Sequence, residues 1–279
     1  MERLVAHRAI PEKGVLRTIS STLVAVTRRY HRNVPPTDSS SEQELRAASA
    51  PEFIKRRSDI RDTQRSSQFG YHNRKLRELI RAMVSEAGLP PNATVLDYGC
   101  ADAPYRDELP DDATYVGADI AGNQWAQVTL TPDGSIPLPD GDVDLVLSTQ
   151  VLEHVDDPAL YLAESFRVLR PGGSLVLSTH GIMYYHRDPE DHWRWTRTGL
   201  AKVVEAAGFR VRSFHAVMGL VAACLQIIQD GTIWLLPRRL RRVYAFVMQS
   251  AISLVDRRYS EQSRVDNGLV LAVVATKPR

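Results

Sequence analysis

The chain has 279 residues, 43% hydrophobic and 24% charged, with a formal net charge of +2. This length suits one large α/β domain with additions, or two small domains, and so small a net charge gives no argument for a nucleic-acid binder. The two cysteines, Cys100 and Cys224, lie far apart, which argues against a disulfide scaffold and for a reduced, cytoplasmic setting.

The N-terminal stretch "MERLVAHRAIPEKGVL" has no apolar signal core, so no export signal is expected. No run reaches the ~18 apolar residues of a membrane span. The charge is uneven: residues 1–82 carry 17 Lys/Arg against 9 Asp/Glu, residues 91–210 carry 8 against 19. A basic flank joined to an acidic core suggests two tasks, although a basic flank also suits a solvated helical surface.

In chain order, residues 14–32 read as a short amphipathic helix with a basic end, and "NVPPTDSSSEQ" (33–43) as a polar linker. Leu76, Ile80 and Met83 recur at helical spacing within 70–87, and Gly88 and two prolines end that helix. From 93 onward short apolar runs alternate with helical ones. Strands are expected at 93–98, 113–120, 143–149, 173–180, 210–217 and 267–277, and helices at 158–170 and 197–209. Alternating β and α segments with apolar strands predict a parallel sheet covered on both faces.

The loop "VLDYGCADAPY" (95–105) follows the first strand, where open parallel sheets bind ligands. Gly99 lets backbone approach a ligand. Ala101 and Ala103 stand where a dinucleotide site wants glycine, Pro104 lacks an N–H, and Asp97 repels phosphate. Such a loop suits a cationic ligand without phosphate, as S-adenosyl-L-methionine is. Asp119 ends the second strand 22 residues after Asp97, a spacing at which a carboxylate accepts bonds from ribose hydroxyls.

The stretches "VLDYGCADAPY", "YVGADI", "IPLPDGDVDLVLSTQVLEHVDDP" and "ESFRVLRPGGSLVLST" together resemble the successive motifs of class I S-adenosylmethionine-dependent methyltransferases, the type 11-like subgroup with a "LEH" stretch. The resemblance covers about 70–216 and the final strand. It implies a Rossmann-like α/β fold, a seven-stranded sheet with helices on both faces and the last strand inserted antiparallel. The chain is then read as an N-terminal basic helical extension and linker (1–69), a core (70–216), a helical insertion (217–262) where the family usually has a short turn, and a final strand segment (263–279). By position, Asp97, Gly99, Cys100 and Ala101 would surround the methionine part of the cofactor. Asp119 would hold the ribose, Ile120 and Asp133 would meet the adenine, and Thr149, Gln150 and Val151 would line the site. Ala101 and Ala103 depart from the family's glycines.

Methyl transfer needs donor and acceptor held at attack distance, and a hydroxyl acceptor also needs a base. The loop "THGIMYYHRDPEDHWRWT" (179–196) offers His180, His186 and His192 beside acids and aromatics, and reads as an acceptor pocket. His186 and His192 are the candidate bases; His154 of "LEHV" reads as a helix-start or structural residue before a base, at a position near the methyl. A self-bonded loop with Trp193 and Trp195 in the core is the structural alternative. A metal site at His180, His186, Asp188 and His192 fits no zinc spacing.

The insertion adds apolar stretches beside Arg238, Arg239, Arg241 and Arg242. It suits a membrane interface, a lid or a dimer contact. The expected function is methylation, at oxygen, of a small-molecule, glycan or lipid-linked acceptor by a cytoplasmic or peripheral-membrane enzyme. The alternatives are a non-catalytic S-adenosylmethionine-binding scaffold and an NAD-dependent oxidoreductase. Nucleic acid is disfavoured as acceptor, because no "NPPY"-like motif occurs.

Overall fold

A computed structural model describes residues 60–186 and 190–279, all within one compact unit, Arg46–Arg279. The helix expected at 14–32, the linker at 33–43 and Asp188 lie outside the described residues. In chain order the elements are α1 (Gly70–Ala87), β1 (Thr94–Tyr98), β2 (Thr114–Asp119), β3 (Val128–Thr129), β4 (Val143–Thr149), α2 (Pro158–Val168), β5 (Leu169–His180), α3 (Arg197–Ala206), β6 (Arg210–Val217), α4 (Leu220–Thr232), α5 (Arg238–Asp256), α6 (Glu261–Asn267) and β7 (Val270–Thr276).

The seven strands lie in the order β3-β2-β1-β4-β5-β7-β6. Pairing is parallel from β3 to β5, while β7 runs antiparallel between β5 and β6. The expected sheet is therefore present, last strand included. Successive side chains of a strand point to opposite faces, and both faces are buried. Val95, Leu145, Leu147, Val176 and Val274 pack under α1, α4 and α5 through Leu76, Ile80, Met83, Ala222 and Ile252. Leu96, Val146, Leu175, Leu177 and Val273 pack under α2 and α3 through Leu162, Leu200 and Val204.

Element ends follow local chemistry. Gly88 closes α1 in the left-handed region at φ 67°, where glycine avoids the Cβ clash. Asp157 caps α2, accepting from the amides of Ala159 and Leu160 with Pro158 at the first position. Two boundaries differ from expectation. Strand β5 starts at Leu169, not Gly173, because Leu169 already pairs with Val143 across a register shift. Helix α6 occupies the segment just before β7, so the strand opens only at Val270.

The insertion is built into the core. Asp256 on α5 accepts from the Tyr71 hydroxyl and the Gly219 amide and pairs with Arg264. Nearby, the side-chain amides of Gln226, Gln229 and Gln249 all donate to the Gln68 carbonyl, while Gln249 Oε1 accepts from the Tyr71 amide. Asp230 completes this network, accepting from the side-chain amides of Gln68 and Gln226.

Burial pushes the Asp230 carboxyl up to about 6, against the pull of the Gln68, Gln226 and Tyr184 donors. A raised carboxyl favours the folded state only while protonated. Its contribution is full below the unfolded value near 3.8 and is lost as pH rises through about 6. Asp230→Asn keeps an acceptor for both amides and removes the buried charge. In urea unfolding at pH 7 the variant is expected to exceed the parent by up to about 3 kcal/mol, with the difference vanishing toward pH 4. An advantage independent of pH would contradict this.

Candidate active site

The C-terminal ends of the parallel strands share one edge of the sheet. Asp97 in β1 is 1% exposed, and its Oδ2 accepts from the Tyr115 hydroxyl at 2.8 Å. Beyond it the chain turns sharply. The amides of Gly99 and Cys100 both donate to the Ala118 carbonyl, at 2.8 and 3.1 Å. The Ala101 amide donates to Asp119 Oδ2 at 2.8 Å, and the Ala103 amide to the Cys100 carbonyl at 2.8 Å. These four amides are thus committed within the protein. A pyrophosphate needs a row of free N–H donors at a helix start, and this loop does not offer them.

Gly99 has φ 85°, and a Cβ on it would lie 2.6 Å from Val151 Cγ2. Glycine is required here both by conformation and by space. Ala101 and Ala103 hold φ 47° and 55°, and Gln150 holds φ 56°. The two alanines therefore keep the left-handed geometry that glycine would adopt, at a cost of about 1–2 kcal/mol each. Cys100 turns its side chain away from the edge, where Sγ would lie 2.9 Å from a Cβ on Gly117. Burial and the Asp97 and Asp119 charges push its thiol up.

Asp119 accepts from three protein donors: the amides of Ala101 and Ile120 and Asn123 Nδ2. A carboxylate has about four lone-pair sites, which leaves one for a ligand hydroxyl. Ile120 beside it is 43% exposed, an apolar surface at the mouth. Asp133 sits in a turn of its own making, accepting from Thr131 Oγ1 and the Ser135 amide. Those bonds hold its carboxyl below the usual range. The buried Thr149 ends β4. Gln150 donates to Ser178 through its amide and its Nε2, and its buried Oε1 has no hydrogen-bond partner among the described residues.

The ends of β4 and β5 bring histidines together. The rings of His154, His180 and His186 lie 5.3 to 6.2 Å apart, centre to centre. Glu153, fully buried, accepts from Thr179 Oγ1 at 2.8 Å and faces His180 Nε2 at 3.3 Å. Burial pushes the Glu153 carboxyl up, against the pull of His154. Burial, with His186 and Arg194 adding to it, pushes His180 well down, so its ring is neutral at pH 7. His72 on α1 is lowered by burial and by His186. His154 Nδ1 donates to the Glu190 carbonyl. His192 points elsewhere, its Nε2 3.2 Å from Asp156 Oδ1 on the surface.

The loop carrying these groups is clamped by Arg194. It grips both carboxylate oxygens of Asp191 at 2.5 Å and donates to the carbonyls of Met183 and Tyr184. Asp191 in turn accepts from the His186 amide. Trp195 packs against the core, whereas Trp193 is 39% exposed and donates to the Val155 carbonyl. Among the described residues no group of three His, Cys, Asp or Glu is arranged to hold a metal ion.

A family model described as a methyltransferase domain matches residues 71–213. The chain belongs to the methyltransferase domain family. A probable S-adenosylmethionine-dependent methyltransferase from Mycolicibacterium smegmatis is 42% identical over 82 residues, 27% of this chain and 32% of that protein. The 2-methyl-6-phytyl-1,4-hydroquinone methyltransferase of Synechocystis sp. is 32% identical over 133 residues, 42% of each chain. The chain thus spans less than half the length of these curated relatives. Among solved structures, Burkholderia thailandensis 1,6-didemethyltoxoflavin-N1-methyltransferase with bound S-adenosylhomocysteine superposes with a TM-score of 0.50 at 15% identity. It covers 88% of this chain and 93% of its own, a likeness of fold.

S-adenosyl-L-methionine is the cofactor that goes with this methyltransferase domain, and the donor set fits it. Two carboxylates at adjacent strand ends, the Gln150 acceptor and amides already spent suit a cationic nucleoside better than a phosphate. Several contributors escaped the sequence reading. Asn123 bridges the loop, donating to the Ala101 carbonyl and to Asp119. Arg61 ties the loop from outside, pairing with Asp102 and donating to its carbonyl. Glu153, His72 and the Arg194 clamp were also without a signal, except that Glu153 stands inside the "LEH" stretch.

Gly99→Ala is expected to lower stability by about 2 kcal/mol and to weaken S-adenosylmethionine binding, because the new methyl displaces Val151. The double change Ala101→Gly with Ala103→Gly is expected to raise stability by about 1 kcal/mol, net of glycine's entropy cost. Thermal unfolding and calorimetry check both. A tolerated Gly99→Ala with parental affinity would contradict the geometry.

Proposed function

We propose that this methyltransferase moves a methyl group from S-adenosylmethionine to an oxygen of a small-molecule, glycan or lipid-linked acceptor. The supporting observation is one of juxtaposition. The Asp97, Gly99 and Asp119 arrangement at β1 and β2 and the histidine group at β4 and β5 occupy the same edge of the sheet. When bound, the cofactor supplies a sulfonium methyl open to in-line attack.

The protein's part is positional and protic. Asp119 accepts from the ribose, Gly99 and Val151 shape the floor, and Asp97 and Gln150 present oxygen to positive charge. His186, half-buried beside His154 and His180 and held by Asp191 through its amide, takes the acceptor's proton. His180 stands beside it and faces the buried Glu153, and His154 holds the loop through the Glu190 carbonyl. His192, paired with Asp156, lies outside this group and is given no proton-transfer role.

Titration calorimetry with S-adenosylmethionine, S-adenosylhomocysteine and NAD tests the cofactor half. Binding of the first two and not the third is expected, and Asp119→Ala should cost at least about tenfold in affinity. Transfer of labelled methyl to small molecules of a cell extract tests the rest. His186→Ala should slow it by about a hundredfold or more without altering cofactor affinity, and His192→Ala should leave it unchanged. Cofactor binding without any transfer would mark a non-catalytic scaffold instead.

A further inference from the structure

The outer face of α5 is apolar and uncovered. Leu240, Val243, Phe246, Val247 and Leu254 are 47% to 63% exposed. At about 100° per residue these positions fall within an arc of about 120°. The residues that α5 buries, Ala245, Gln249, Ile252, Ser253 and Asp256, fall in a neighbouring arc centred about 130° away. On α4 and the turn after it, Ile228, Trp234 and Leu235 are also exposed, by 52% to 60%. No helix among the described residues is long and apolar enough to cross a membrane.

The charge around this surface is mostly basic. Between residues 217 and 262 the basic residues are Arg238, Arg239, Arg241, Arg242, Arg257 and Arg258, and the acidic ones are Asp230, Asp256 and Glu261, the last paired with His215 at 2.8 Å. Both aspartates are buried and engaged internally. By the same helical count, Arg239 and Arg257 share the direction of the apolar stripe at its two ends. Arg241 lies over the exposed Trp234 ring, 4.7 Å from its centre, a pairing of the kind found where apolar and headgroup layers meet.

We propose that this face docks on an anionic lipid surface. The apolar stripe enters the headgroup boundary with α5 parallel to the membrane, and the arginines at its ends meet lipid phosphates. A second copy seated face to face would press arginine against arginine, and the segment's exposed carboxylate, Glu261, is already paired with His215. A nucleic acid would leave the leucine, valine and phenylalanine stripe without a partner. The proposal is independent of the acceptor assigned above.

The test is vesicle flotation of the full chain with S-adenosylmethionine affinity measured alongside. The protein is expected to float with vesicles containing phosphatidylglycerol, to float poorly with pure phosphatidylcholine, and to be released by salt. The double variant Arg239→Gln with Arg257→Gln should lose about fivefold in partitioning per charge removed. The variant Val243→Ser with Val247→Ser should lose more, with cofactor affinity at the parental level in both. Absence of binding to anionic vesicles overturns the proposal, as does binding that neither variant weakens. A parental dimer that the apolar variant turns into monomers, without flotation, assigns the face to a second copy and overturns it too.

Discussion

Two backbone amides, those of Gly99 and Cys100, converge on one carbonyl, that of Ala118. This convergence bends the chain back over the end of β2 immediately after β1. Asp119, the next residue along β2, is thereby brought to the Ala101 amide, so the two strand-end carboxylates and the loop between them form one unit. Gly99 must be a glycine for the bend to pass beneath Val151, which couples the loop after β1 to the loop after β4. This strand edge is thus held by main-chain geometry together with the Asp119 carboxylate.

This arrangement explains how alanine replaces glycine at 101 and 103 without loss of shape. Both residues occupy the left-handed region, sustained by bonds from Asn123 and Arg61 to the same short segment. The strain is local and the support comes from distant parts of the sequence. Strained backbone persists when its surroundings over-determine it, and here the bracing residues are 61 and 123.

The fold was largely legible from the sequence because each strand of the sheet is a short apolar run, and the motif order implies which strand runs backwards. Asp97 and Asp119 were legible as candidates for the same reason: they stand at the ends of strands. The acceptor side was less so. Histidines at 154, 180 and 186 meet only after β4 and β5 pair, and His72 arrives from a helix more than eighty residues upstream, with no local pattern to announce it. His192 shows the converse. Its sequence position equals that of His186 in promise, yet its imidazole turns to Asp156. Boundaries shifted where pairing outran propensity, as at Leu169, which joins the sheet directly from the end of α2.

The triple convergence of glutamine amides on the Gln68 carbonyl bears on how substrates come and go. A lid swings because few bonds hold it closed. Here α4 and α5 are riveted to the stretch that leads into α1, through buried groups whose rupture would strand several amides without partners. The helical pair is accordingly fastened to the α1 side of the sheet by buried bonds that would have to break together.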